Sequence, residues 1–292
     1  MKKSLVAALA TSAMAVLLVA PGTPAGAASP FCNQTVPNSS IFFYNKDTGS
    51  AGTATLAAGK YRFTGNFDLP TGYTHAAASR DSLLLYNGDT GEGETGTFKA
   101  GRYSRVESYD DFSTDWSQIE ASGDSILFYN SGSGFGITGT LKNGRYQEGR
   151  QYDNFSTGWT SMASSCDTLL ATAGRNFGYG SLKGGVYTNV ANRDGTVLLG
   201  NVVATKDSIL GLASNGSQLR YKVSTATNGQ VGNFREIGTS GVWDIVGRTA
   251  DSLFFYKTDG TSWISKLSGG RYANVGSLNE VSSDWSIIEG GV

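Results

Sequence analysis

A unit of 40 to 44 residues, repeated six times, constrains this chain more than any other feature. Its clearest copy spans residues 124–159. It opens Asp124-Ser125-Ile126-Leu127-Phe128-Tyr129-Asn130 and passes through a Gly/Ser loop to Thr138-Gly139-Thr140-Leu141. It then turns at Asn143-Gly144 into Arg145-Tyr146 and closes with Phe155-Ser156-Thr157-Gly158-Trp159. The opening recurs at Ser39, Asp81, Asp124, Asp167, Asp207 and Asp251. A second landmark precedes each later opening by eight residues: Tyr73, Trp116, Trp159, Leu199 and Trp243. Trp285 holds this place ahead of an opening that lies beyond Val292. The opening that follows it is therefore Ser39, reached through space. The phase of the repeat is circular, and residues 284–290 are the missing first strand of the first unit.

Each unit reads as four strands. Trp116-Ser117-Gln118-Ile119 leads through the tight turn Ser122-Gly123-Asp124 into Ile126-Leu127-Phe128-Tyr129, which is apolar on both pleat faces, as a strand covered on both sides must be. A third strand carries Thr-Gly-Thr-Leu. An Asn-Gly hairpin then returns the outer strand, with counterparts before Tyr103, Tyr187 and Tyr272. A single such sheet has bare faces and edges, and a ring of six covers the faces. With 40 Gly in 292 residues and 16% charged residues, the predicted fold is all-β. It is a six-bladed β-propeller of four-stranded blades, closed by a C-terminal strand that completes the first blade.

Residues 1–27 read as a signal peptide: Met1-Lys2-Lys3, an apolar stretch interrupted by Thr11 and Ser12, and Ala25-Gly26-Ala27 at the cleavage site. Residues 28–38 form an N-terminal arm and residues 39–292 the propeller. Loss of Lys2 and Lys3 takes the formal charge from −1 to −3. That balance argues against nucleic acid, and the apolar run is too short for membrane insertion. The expected location is extracellular. Two cysteines in an exported chain imply a disulfide. Cys166 sits in the turn between the first two strands of the fourth unit, opposite the first unit across a ring of six. The arm is expected to pass under the central channel so that Cys32 bonds Cys166.

Units one to three are the most regular. Unit four drifts at Ala171-Thr172-Ala173-Gly174. Unit five drifts further, with Leu199 for Trp, Gly211-Leu212 for Phe-Tyr and an insertion-like stretch at 223–232. The combination of Asp-Ser-Leu-Leu-Leu-Tyr-Asn (residues 81–87), Thr-Gly-Thr-Leu with Gly-Arg-Tyr (138–146) and Phe-Ser-Thr-Gly-Trp-Thr (155–160) resembles the secreted propeller-repeat proteins of actinobacteria. These are similar to tachylectin-type and other β-propeller lectins and to the lectin-like subunits of Streptomyces umbrella toxin particles. The resemblance implies a propeller, carbohydrate recognition and a place as the targeting piece of a toxin assembly. Propellers also host enzymes and scaffolds, so function rests on sites.

Trp116 and Trp159, like Trp243 and Trp285, offer flat faces and an N–H suited to sugar rings. Their plainer role is to fill the wedge between blades, and their regular place favours it. The opening aspartates read as turn formers. Residues that break the repeat are better candidates: Trp263, Phe135 and Phe177 between second and third strands, and Asp110, Asp111, Asp153 and Asn154 ahead of inner strands. Both loop types share the face of the disc opposite the cysteines, where polar and aromatic pockets for glycans are expected. Ordinary solvated loop is the plain reading of each one singly. His75 is the single histidine, and its inner-strand place reads as channel lining. A Ser-His-Asp or Cys-His site has little support, zinc would lack ligands, and no cofactor is expected. Calcium shared between loops stays open.

The expected partners are cell-surface or cell-wall glycans and other secreted protein subunits. The expected function is non-enzymatic glycan binding, with a protein-interaction scaffold as the alternative class. A glycoside hydrolase or lyase using Asp110 and Glu107 is a third.

Overall fold

The structure, a computed structural model, describes Cys32 and residues 39–195, 198–214, 219–279 and 281–292. The signal peptide and the rest of the arm lie outside the described residues. Blade 1 contains β1 (Ser40–Tyr44), β2 (Ser50–Ala57) and β3 (Lys60–Asp68). Blade 2 contains β4 (His75–Ala78), β5 (Ser82–Tyr86), β6 (Gly93–Lys99) and β7 (Arg102–Tyr109). Blade 3 contains β8 (Gln118–Ala121), β9 (Ser125–Tyr129), β10 (Gly136–Lys142) and β11 (Arg145–Tyr152). Blade 4 contains β12 (Ser161–Ser164), β13 (Thr168–Ala173), β14 (Asn176–Lys183) and β15 (Val186–Asp194). Blade 5 contains β16 (Asn201–Ala204), β17 (Ser208–Ser214), β18 (Leu219–Thr227), β19 (Gln230–Val231) and β20 (Arg235–Ser240). Blade 6 contains β21 (Ile245–Arg248), β22 (Ser252–Tyr256), β23 (Ser262–Ser268) and β24 (Arg271–Leu278), and β25 (Ile287–Gly290) follows.

The sheets are antiparallel, and β25 belongs to the first of them, in the order β25-β1-β2-β3. Its register runs from Ile41 opposite Gly290 to Tyr44 opposite Ile287. The tail of the chain thus supplies the strand its head lacks, and six sheets form a closed six-bladed propeller. Trp285 packs on Phe43 with ring centroids 5.7 Å apart. Cys32 and Cys166 form the predicted disulfide.

The second strands SIFFY, SLLLY, SILFY and SLFFY are buried along their whole length, because neighbouring blades cover both faces. Each large side chain so buried contributes about 1.5–3 kcal/mol. Outer strands are mostly exposed, with a few half-buried positions. Unit five corrects the sequence reading of an insertion over 223–232. Residues 223–227 continue β18, Asn228-Gly229 is the ordinary third-to-outer turn, and the irregularity is the break at 232–234 between β19 and β20.

The repeated Asp-Ser opening does more than form a turn, because it clasps the next blade. Asp81 Oδ1 accepts the Asn143 N–H at 2.9 Å and Ser82 Oγ accepts the Gly144 N–H at 2.7 Å. The same pair of bonds runs from Asp124-Ser125 to Gly184-Gly185, from Asp167-Thr168 to Asn228-Gly229 and from Asp207-Ser208 to Gly269-Gly270. Asp251-Ser252 closes the circle on Ala58-Gly59. At the junction of blades 1 and 2, where Ser39 replaces Asp, the Ser40 hydroxyl takes the Gly101 N–H. Each clasped turn has both central residues at positive φ, as in Asn143 (54°) and Gly144 (74°). That type I′ geometry leaves two N–H groups pointing at the neighbour. At the other end of the blade, the tyrosines closing the second strands tie down the connection to the next blade. Tyr44, Tyr129 and Tyr256 donate to the Pro70, Ser156 and Ser282 carbonyls. The same hydroxyls accept the backbone N–H of the landmark residues Tyr73, Trp159 and Trp285.

Candidate functional site

In every blade but the fifth, which has Leu199, a landmark aromatic stands where one blade meets the next. Facing it is the middle of the third strand, occupied by Gly52, Glu94, Ile137, Gly178 or Trp263, and behind that position lies the outer strand. The outer strands carry a bulge, for example where β14 passes from Tyr179 to Gly180 against β15. The bulge changes the pleat parity. Tyr187 and Asn189 alternate normally, and the extra residue lets Asn192, opposite Gly178, share a wall with them. The Thr-Gly-Thr motif serves this arrangement. A Cβ on Gly139 would lie 2.5 Å from the Tyr146 ring, and one on Gly96 would lie 2.5 Å from the Tyr103 ring.

Where the facing residue is Gly178, the junction of blades 3 and 4 opens into a cavity of about 260 Å³. Trp159, Tyr187 and Phe155 give aromatic walls, and Asn154, Asn189 and Asn192 give amides. The floor is tight: a Cβ on Gly178 would meet Asn192 Oδ1 at 2.6 Å and the Trp159 ring at 3.3 Å. The junction of blades 5 and 6 holds a second cavity, of about 240 Å³, between Trp243, Trp263, Tyr221, Tyr272 and Asn274. Lys257 lies 5.7 Å from the Trp243 ring centroid. The junction of blades 1 and 2 holds a third, of about 450 Å³, with Tyr73, Glu94, Arg105, Tyr109 and Asp110 on its walls.

These cavities gather some of the sequence-predicted residues and leave others apart. Trp159 and Asn154 share the first cavity, Trp263 lines the second and Asp110 the third. Trp263 lies inside β23 and Phe177 inside β14, not in the loops before them. Phe177 packs in the core against Tyr179 and Phe234. Trp116 stacks on Phe135 at 6.0 Å, so this junction is filled from within. Asp111 and Asp153 are exposed on the loop face. Glu107 is engaged by the Tyr109 hydroxyl at 3.0 Å and by Arg145 at 3.3 Å. His75 begins an inner strand, with its Nδ1 2.8 Å from Thr74 Oγ1, and burial pushes its imidazole pKa down.

Sequence reasoning missed Tyr187, Asn189 and Asn192, whose common wall depends on a bulge that strict alternation hides. It also missed a charged cluster on the inner strands. Arg248, 3% exposed, reaches Glu120 at 2.6 Å and Glu289 at 3.1 Å. It also donates to the Ser164 and Ala121 carbonyls. One guanidinium therefore links blades 6, 3, 4 and the C-terminal strand. Burial raises the Glu289 carboxyl to about 7, against the opposing pull of Arg248. The signal available in the sequence was three charged residues in segments that otherwise carry uncharged ones.

No protein-family model matches the chain, and no curated protein matches its sequence. Solved structures do resemble it. A functionally unknown protein from Desulfotomaculum acetoxidans superposes with a TM-score of 0.53 at 10% identity, over 87% of this chain and 86% of that one. Proposed 6-phosphogluconolactonases from Bacteroides uniformis and Bacteroides fragilis give 0.52 at 11% and 0.51 at 8%. Each covers 86% of this chain, with 98% and 97% of the other chain matched. At such identities the likeness extends to the fold alone.

Proposed function

We propose that this protein is an extracellular, non-enzymatic carbohydrate-binding propeller whose ligand sites are the blade junctions. The observation that carries this reading is the cavity between blades 3 and 4. Its aromatic walls suit the C–H face of a sugar ring, and three asparagine amides supply both donors and acceptors for hydroxyls. The aromatic cavity between blades 5 and 6 offers a related surface. Two or more weak sites on one rigid disc would act together on a polyvalent glycan, where linkage typically gains about 10²–10⁴ in avidity. Support for secretion comes from the leader pattern of residues 1–27 and from the disulfide. On this reading the glycans of a cell surface or cell wall are the target, and the protein serves as the targeting subunit of a secreted toxin assembly.

The test is a glycan array probed with the wild type and with Gly178→Ile. Blade 3 carries Ile137 at this position, so the fold accommodates that side chain, whereas here it fills the cavity floor. Wild-type binding that falls about tenfold or more in the variant, with the variant still cooperatively folded, is the expected result. Array signals unaltered by Gly178→Ile contradict the placement. A wild type that binds no glycan but captures protein partners from the producing culture favours the scaffold reading.

A further inference from the structure

The cavity between blades 1 and 2 differs in chemistry from the other two. The position facing the landmark aromatic is Gly178 or Trp263 at the other open junctions, and here it is Glu94, only 2% exposed. Wedge packing does not ask for a carboxylate, since Gly, Ile and Trp serve at the equivalent places. A buried carboxylate is costly unless it is fully partnered. Its protein partners are two phenols and a guanidinium: Tyr73 donates to Oε2 at 3.0 Å, Tyr103 donates to Oε1 at 2.7 Å, and Arg105 forms an ion pair with Oε2 at 3.8 Å. Burial, and then the Glu94 charge, push both phenols up, so they remain protonated donors. That ion pair is long and the Arg105 side chain is mostly solvent-exposed, so water screens it. Glu92 and Asp110 also line the cavity, so three acids face one base. The Tyr73 and Tyr109 rings complete the walls.

We propose that this junction takes a cationic sugar, a hexosamine whose amine is free and protonated. The ammonium would meet the carboxylate side of the cavity, through a charge-assisted hydrogen bond at Glu94 and the negative faces of the tyrosine rings. The sugar ring would lie in the wider part of the cavity. This inference rests on the reading of blade junctions as sugar sites and adds a charge specificity to one of them. The disc then carries unlike subsites, and a partly deacetylated polysaccharide presents both kinds of residue on one strand.

The experiment uses the same array, with matched glycans bearing free amines, N-acetylated amines and uronic acids. The probes are the wild type, Glu94→Gln, Glu94→Gly and Gly178→Ile. Glu94→Gln removes the charge while keeping an acceptor for the phenols. Glu94→Gly installs the residue of blades 1 and 4, and gives a second readout should the glutamine variant fold poorly. Both are expected to lose free-amine glycans by about tenfold or more while keeping neutral ones. Gly178→Ile is expected to show the opposite pattern. Free-amine binding that survives both Glu94 variants overturns the assignment, as does a wild-type preference for uronic acids lost with Glu94. Neutral binding that depends on Gly178, with no free-amine binding at all, refutes the Glu94 site and leaves the junction reading standing. Absence of all glycan binding refutes both.

Discussion

At the scale of single residues, the repeated aspartates hold the ring together. Asp124 is buried, accepts the Gly184 N–H at 3.0 Å and is braced by the Ser125 hydroxyl at 2.7 Å. Hydrogen bonds to a charged acceptor are worth about 1.5–3 kcal/mol. Asp124→Ala is expected to lower unfolding stability by about 2–3 kcal/mol, seen as a lower denaturant midpoint. Asp124→Asn, which keeps an acceptor, is expected to cost about 1 kcal/mol or less. Equal losses would show that the clasp is not the source. The sequence displayed this aspartate five times but not its purpose. An Asp-Ser or Asp-Thr opening reads as a local turn, and its real partners lie in the next blade, about sixty residues away or, at ring closure, 193. Glu94 and Arg248 were hidden for a similar reason, because one polar residue in a short strand looks like any other until the opposing blades are placed.

At the scale of elements, the strands and their order were legible because two periodicities coincide. The unit length sets the blades, and the doubly apolar second strands identify the buried layer. The bulges were not legible, and they decide which outer-strand residues reach the junctions. The inner strands add a linkage of their own. Two carboxylates share the one guanidinium of Arg248, and burial holds the Glu289 carboxyl protonated to about pH 7. Since the folded value lies above the unfolded one, the native state binds more protons in between. Stability is then greatest below about pH 4.5 as far as this group is concerned, and falls as pH rises towards about 7. Denaturation across this window is expected to show that decline in the wild type and a flatter profile in Glu289→Gln. A Glu289→Gln profile that parallels the wild type would assign the pH dependence to other groups.

At the scale of the whole molecule, the disc exists because β25 pairs with β1. Deleting residues 284–292 removes Trp285 from the cluster around Phe43 and Phe254 and leaves β1 with a bare edge. The truncated protein is expected to be insoluble or readily digested by protease, whereas an unchanged melting temperature would contradict closure. The disulfide adds a second tie, joining residues 134 apart in sequence. By chain entropy such a loop contributes about 5 kcal/mol. Closure also bears on function, because a junction cavity needs two blades held at a fixed distance. Circular phase was readable from Trp285 alone, but which junctions stay open was not. Openness depends on one facing residue per blade and on what the outer strand brings against it.

The central claim is that ligand enters between blades. Hydrogen exchange of the wild type with and without the strongest glycan from the array tests it most directly. Protection concentrated in residues 152–159 and 178–192 is the predicted result. Protection confined to the inner strands around the channel, with these segments unchanged, would contradict it.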